Sequence, residues 1–187
     1  MLTTHRKQIA ATTLIIIGAA AALAFQGRVW WCQVGDLRPW SWEVWSAHNS
    51  QHVVDPYSFT HVLHGMLEFW LIGLVFWKLP PAWRFVIAIF IESSWEVIEN
   101  TEYVINRYRE ATVSLDYFGD TIVNSLADVV CCGVGFWVSY KLRFVWAAAI
   151  FLLTETVLLF WIRDSLLLNI LMLLRPIEAV KRWQLGA

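Results

Sequence analysis

The chain has 187 residues, of which 58% are hydrophobic and only 16% charged, with 13 tryptophans and a formal net charge of −1. A soluble domain is nearer half apolar and a quarter charged, and several apolar runs here reach membrane-spanning length, so this reads as an integral membrane protein. The near-zero charge leaves no basic surface for nucleic acid. The length suits a single domain over 1–187, with no linker, low-complexity tract or internal repeat.

The elements follow from the apolar runs and their punctuation, and predict an all-α, polytopic membrane helix bundle. Span one covers Ile9 to Phe25, span two Phe59 to Trp77 and span three Phe85 to Ile105. Span four covers Asp120 to Tyr140 and span five Phe144 to Ile162. Pro80-Pro81 separates spans two and three, because proline cannot continue a helix there. The first run lacks a small-x-small cleavage site before Trp30-Trp31 and reads as a retained anchor. In the tail, Asn169, Arg175, Glu178 and Arg182 recur opposite Leu166, Ile170, Leu173, Ile177 and Val180, a pattern suited to one interfacial helix. The alternative for the tail is a sixth, thin span.

Basic residues set the orientation. Arg6 and Lys7, Lys78 and Arg84, and Lys141 and Arg143 mark compact cytoplasmic ends, which puts the N-terminus in the cytoplasm of a bacterial inner membrane. Connections 26–58 and 106–119 then face outward, and Trp30, Trp31, Trp40, Trp42 and Trp45 suit an interfacial belt.

Against this apolar background the polar residues stand out. His61, His64 and Glu68 are spaced i, i+3, i+7; Glu92, Glu96 and Glu99 are spaced i, i+4, i+7; Asp116, Asp120, Asn124 and Asp128 recur every four residues. Each set occupies one helix face. Counted from the outer ends, His64 and Glu68 lie ~8 and ~13 Å deep, Glu99 and Glu96 ~9 and ~14 Å, and Asn124 and Asp128 ~6 and ~12 Å. Glu155 of span five also lies near the midplane. Lipid does not tolerate such stripes, so they face a shared cavity. The bland alternative is that Arg107, Arg109 or Arg163 neutralises Glu99, Glu102 or Asp120 and merely pins helices together. Cys32 is a single outer thiol, and Cys131-Cys132, beside Gly133 and Gly135, reads as packing, with no C-x-x-C pair.

Histidines and carboxylates in one wet cavity suit a divalent Zn, Fe or Mn ion, whose charge also lets several carboxylates stay ionised together. His61, His64, Glu96 and Glu99 are the expected ligands, with His48, His52 and Glu92 as second choices. Asp120, Asn124, Asp128 and Glu68 would orient substrate or act as acid–base groups. Haem on two outer histidines ranks lower, since no c-type attachment motif exists. Phosphate-cradling Gly loop, Gly-x-Ser-x-Gly elbow and His-Glu-x-x-His zinc-protease motif are likewise missing from the sequence.

The runs "SAHNSQHVVDPYSFTHVLHG", "ESSWEVIENTEYVINRYRE" and "SLDYFGDTIVNSLADV" resemble an uncharacterised, mainly alphaproteobacterial membrane-protein family. It is catalogued as domain of unknown function 2585, also uncharacterised protein family 0314. The resemblance implies a multi-pass inner-membrane protein and transfers no activity. More distantly, D-x-x-x-N-x-x-x-D before a small-residue stretch resembles the VanZ-like membrane proteins. The expectation is a metal-dependent membrane hydrolase or transferase acting on a lipid-like or polyprenyl-linked substrate. The alternative is a non-catalytic ion or proton pathway, or an assembly factor for a membrane complex.

Overall fold

The computed structural model describes residues 5–111 and 117–186, so Asp116 of the third stripe lies outside the described residues. The described chain is helical, with one isolated bridge, Trp40 to Val54, as its only β pairing. The helices are α1 (Arg6–Phe25), α2 (Ser58–Val75), α3 (Pro81–Glu99), α4 (Glu102–Ala111), α5 (Ile122–Lys141), α6 (Phe144–Trp161), α7 (Leu166–Leu174) and α8 (Glu178–Leu185). By length and composition α1, α2, α5 and α6 could cross a membrane. The fifth long helix, α3, carries Arg84, Glu92, Glu96 and Glu99, but packs against α1, α2 and α5 as a full member of the bundle.

Most boundaries shift by a few residues, and three differences have a visible structural cause. Span three was expected to run to Ile105, but α3 stops at Glu99. The cause is long-range: Asn100 Nδ2 donates to Asp120 Oδ2 at 2.7 Å, and Asp120 N donates back to Asn100 Oδ1 at 2.7 Å. That reciprocal pair occupies the residue that would have continued the helix, and the chain restarts as the amphipathic α4. Span four was expected from Asp120, but α5 starts at Ile122, capped by Thr121 Oγ1 accepting from Asn124 N at 3.2 Å. The tail forms two short helices rather than one, because Pro176 keeps Arg175 extended. Nine residues of α7 rise only ~13 Å, too little for a sixth span.

The closest helix pair is α2 with α5. An added Cβ on Gly65 would stand 1.8 Å from Cys132 O, and one on Gly135 would stand 1.8 Å from Val62 O. Two glycines therefore interlock the backbones, the close approach that small residues allow in membranes.

One end of the bundle is polar and the other apolar. At the apolar end Ile72, Ala88 and Phe136 are buried and packed by Phe69 and Phe85, both edge-on to Phe136. Across the polar end α7 is docked: Leu166 joins Leu63, Met66, Ala147 and Phe151 in the core. Glu155 of α6 caps it, accepting from Leu166 N at 2.8 Å and Ser165 Oγ at 3.1 Å. Glu155 thus closes the first turn of α7, where a negative group suits the exposed N–H groups. Loop 26–57 folds back over the same end through Ile122 N to Val29 O (2.8 Å), Thr121 N to Ser50 O (3.1 Å) and Arg28 Nη1 to Phe118 O (2.6 Å). Trp30, Trp40, Trp42 and Trp45 are exposed on this loop.

Candidate metal centre

Because α3 and α2 pack at the level of their polar stripes, the Glu92 carboxylate meets both imidazoles of α2. His61 Nδ1 lies 2.5 Å from Glu92 Oε1, and His64 Nδ1 lies 3.0 Å from Oε2. Glu92 is 1% exposed and the two rings stand edge to face, 4.9 Å between centroids. When each Nδ1 donates to one carboxylate, both tautomers are fixed and both Nε2 lone pairs remain for a ligand.

Further carboxylates crowd the same place. Glu96, also 1% exposed, has no hydrogen-bond partner on either oxygen; its Oε1 is 3.3 Å from a His61 Nδ1 already engaged by Glu92. Asp128 of α5 approaches His61 Nε2 at 3.8 Å with Oδ2, while its Oδ1 is buried without a partner. Ligand atoms of His61, His64 and Glu92 fall within 4.8 Å of one another, as do those of His61, Glu96 and Glu99. Adjacent ligands of a tetrahedral ion with bonds of ~2.0–2.2 Å sit ~3.3–3.6 Å apart; His61 Nδ1 and Glu96 Oε1 stand at that spacing, 3.3 Å, and His61 Nε2 and Asp128 Oδ2 slightly beyond it, at 3.8 Å. A cavity of about 60 Å³ adjoins it, lined by polar His61, His64, Glu99, Asp120 and Asp128 together with Trp95, Leu166, Ile170 and Leu173.

The other expected site residues take different places. Asp120 lines the cavity but is engaged by Asn100 and by the Tyr117 hydroxyl at 2.9 Å. Asn124 ties α5 to the loop, donating to His52 O at 2.8 Å. Glu68 is a turn beyond His64, where its Oε2 accepts from Cys132 Sγ at 3.2 Å. His48 and His52 stand apart with Cys32. Residues not anticipated from sequence include Asn169 and Tyr108, brought to the cavity wall by α7 and α4. The amphipathic signal of α4 was available in the sequence; its docking partner was not.

The arginine alternative is not what the described residues show. Arg107 Nε donates to Leu173 O at 2.9 Å, Arg109 to Tyr117 O, and Arg163 Nη1 to Trp183 O at 3.2 Å. Among the described residues the Lys or Arg ion pair present is Arg38 with Asp36, at the surface. The buried carboxylates therefore face imidazoles, hydroxyls and one another, and each needs a proton or a cation to offset its charge.

Burial pushes two carboxyls outside the spanning helices upward. Asp164, between α6 and α7, is raised to about 6 by burial, although Ser165 N (2.9 Å), Asn169 Nδ2 (3.1 Å) and the Tyr57 hydroxyl (3.3 Å) donate to it. Asp55 is raised to about 6 by burial and then by nearby Asp120. A carboxyl whose folded value exceeds its unfolded one favours folding in the protonated state, and that advantage is lost as pH rises through the folded value. For Asp164 the gap of about 2 pH units corresponds to ~3 kcal/mol. The thermal midpoint of the detergent-purified protein should thus fall between pH 4 and 7. Asp164→Asn should flatten part of that slope, measured by tryptophan fluorescence melts; an unchanged slope would remove Asp164 from the account.

With the site described, relatives supply its context. The family model described as Protein of unknown function (DUF2585) matches residues 23–186. The chain belongs to this family. The matched stretch holds α2 to α8 and every residue of the cluster, leaving out most of α1. Among curated relatives, a UPF0314 protein of Brucella anthropi is 43% identical over 92% of this chain and 87% of its own length. One of Paracoccus denitrificans is 42% identical over 93% and 90%, and one of Rhizobium meliloti 46% identical over 86% and 81%. No solved structure matches the chain.

Proposed function

We propose that this protein is a metal-dependent enzyme of the bacterial inner membrane, acting on the polar group of a lipid-like or polyprenyl-linked substrate. The carrying observation is Glu96, buried with neither carboxylate oxygen partnered, beside His61 and the unpartnered Oδ1 of Asp128. An isolated buried carboxylate costs several kcal/mol, and a divalent ion is the group that offsets it while using the neighbouring imidazoles. His61, His64, Glu96 and Glu99 would hold the ion, with Glu92 orienting both imidazoles. A bound ion would supply a polarised, more acidic water for attack on a phosphoryl or acyl centre. Asp128 would take or return a proton at its Oδ1. The cavity, lined by polar and apolar side chains together, suits a substrate with a polar head and an apolar chain.

A conduit is the second reading. What weighs against it is the aromatic packing of Phe69, Phe85 and Phe136, which closes the bundle beyond Glu68 with no polar continuation among the clustered side chains. A dead-end cavity suits binding and chemistry better than passage.

Elemental analysis of detergent-purified protein should find a divalent ion that survives dialysis against a mild chelator, with one equivalent fewer in His64→Ala. A folded but metal-free wild type overturns the proposal. Orientation is tested by reporter fusions: residue 50 should read as periplasmic and residue 81 as cytoplasmic. The reverse pattern would move the site to the inner leaflet.

A further inference from the structure

A second cluster lies outside the helices, in loop 26–57. Cys32 is buried, His52 is fully buried and His48 is half-buried between them. His48 Nδ1 lies 3.1 Å from His52 Nε2 and 3.8 Å from Cys32 Sγ, and the two rings stack at 5.3 Å. One ligand atom from each of the three residues falls within 4.8 Å of the other two. We propose that Cys32, His48 and His52 form a separate transition-metal site, of zinc or copper type, that clamps the outer loop over the intramembrane cavity.

Spacing is the first argument. Around a tetrahedral ion with metal–nitrogen bonds of ~2.0–2.1 Å and metal–sulfur bonds of ~2.3 Å, adjacent ligands stand ~3.3 Å (N to N) and ~3.6 Å (N to S) apart. The observed 3.1 and 3.8 Å are close to both. Orientation is the second. His52 Nδ1 is 2.6 Å from Arg38 O, a carbonyl that can only accept, so Nδ1 carries the proton and Nε2 presents a lone pair toward His48. A backbone carbonyl holding the far nitrogen is the usual support of a metal-bound imidazole. The carbonyl itself is held: Val54 N donates to Pro39 O and Ser41 N to Val54 O, both at 3.1 Å, pinning 39–41 beside 52–54.

Ligand type sets the ion class. One thiolate with two imidazoles suits Zn²⁺ or copper and disfavours Mg²⁺ or Ca²⁺. On ligation the Cys32 S–H proton leaves to solvent, while His48 moves its ring proton from Nδ1 to Nε2 so that the Nδ1 lone pair faces the ion. Three protein ligands leave one position for water.

Placement sets the consequence. Between His48 and His52 lie Asn49 and Ser50, which line the intramembrane cavity, and Gln51, whose Nε2 donates to Gly119 O at 2.9 Å. Metal at the loop would fix the turn that carries these residues, without sharing any ligand with His61, His64 or Glu96.

The test titrates Co²⁺ alone into chelator-stripped, full-length protein in detergent. A thiolate-to-Co²⁺ charge-transfer band should saturate at one equivalent per chain in His64→Ala and within two in wild type, and be lost in Cys32→Ser and His52→Ala. Proteolysis within the outer loop should slow on Co²⁺ addition to His64→Ala and stay unchanged in Cys32→Ser. A folded wild type and His64→Ala without the band would overturn the proposal, leaving the trio a hydrogen-bonded turn. A band persisting in Cys32→Ser, arising from Cys131 or Cys132, would overturn it too. A band in wild type and His64→Ala, with no ion at His61 and His64, would sink the enzyme reading alone and leave the loop site standing.

Discussion

Glu92→Ala is expected to abolish metal binding at the proposed intramembrane centre and to cost the fold ~3–5 kcal/mol, the range for removing one partner of a buried charged pair. The size follows from position: a single carboxylate receives His61 at 2.5 Å and His64 at 3.0 Å, so its loss frees two imidazoles at once. Glu92→Gln keeps the shape and one accepting oxygen. It should fold but hold metal about 10- to 100-fold more weakly, as lost support of a ligating imidazole does. Glu68→Gln should keep the metal, because the Glu68 partner is Cys132 and its carboxyl lies off the cavity wall. The double variant Glu92→Ala, His61→Ala should be little worse than Glu92→Ala alone, since the two act as one unit. Metal content and melting midpoint read these effects separately. Equal metal in wild type and Glu92→Ala would remove Glu92 from the centre, whatever happened to stability.

Gly65→Ala and Gly135→Ala should be the most disruptive single-methyl additions in the chain. In each, the new Cβ meets a backbone carbonyl oxygen at 1.8 Å, and no rotamer change can relieve a clash between two main chains. Overpacking of side chains costs ~1–3 kcal/mol; here a whole helix must shift, so each change should reach or exceed the top of that range. Two other glycines serve as controls. Gly133→Ala would meet Phe85 at 3.5 Å and Gly73→Ala would meet Arg84 Nη1 at 3.7 Å, ordinary contacts. Both should be tolerated, with up to ~1 kcal/mol returned by the better helix propensity of alanine. Melting midpoints in one detergent rank the four variants; Gly65→Ala no worse than Gly73→Ala would refute the interlock.

How far the sequence carried can be seen residue by residue. The stripes on α2 and α3 were legible because helical spacing alone puts i, i+3, i+4 and i+7 on one side, and lipid leaves such a side only inward. From sequence Glu92 is only a second-choice ligand after Glu96 and Glu99, since spacing within one helix cannot say which rung faces the neighbouring helix. The end of α3 was not legible: Asn100 is bonded to a residue twenty positions away. The break after α7 was, because the residue before Pro176 is disfavoured in helix; the amphipathic pattern across it masked that signal. Cys32 looked solitary because its partners come sixteen and twenty residues later, through a loop whose path no periodicity encodes.

The close approach of α2 and α5 at Gly65 and Gly135 has one more consequence, for ion choice. His61 lies one turn before Gly65 on α2 and Asp128 one turn before Cys132 on α5, so the width between them is set by main chain rather than by adaptable side chains. A cleft of fixed gauge discriminates by radius. Calcium needs six to eight oxygens at ~2.3–2.6 Å and an expandable cage, and would have to pry two main chains apart. Ions content with four or five ligands at ~2.0–2.2 Å need no such movement. Exclusion of the larger, more abundant cation would then be a property of the helix crossing, and Gly135→Ala should blur it before it abolishes binding altogether.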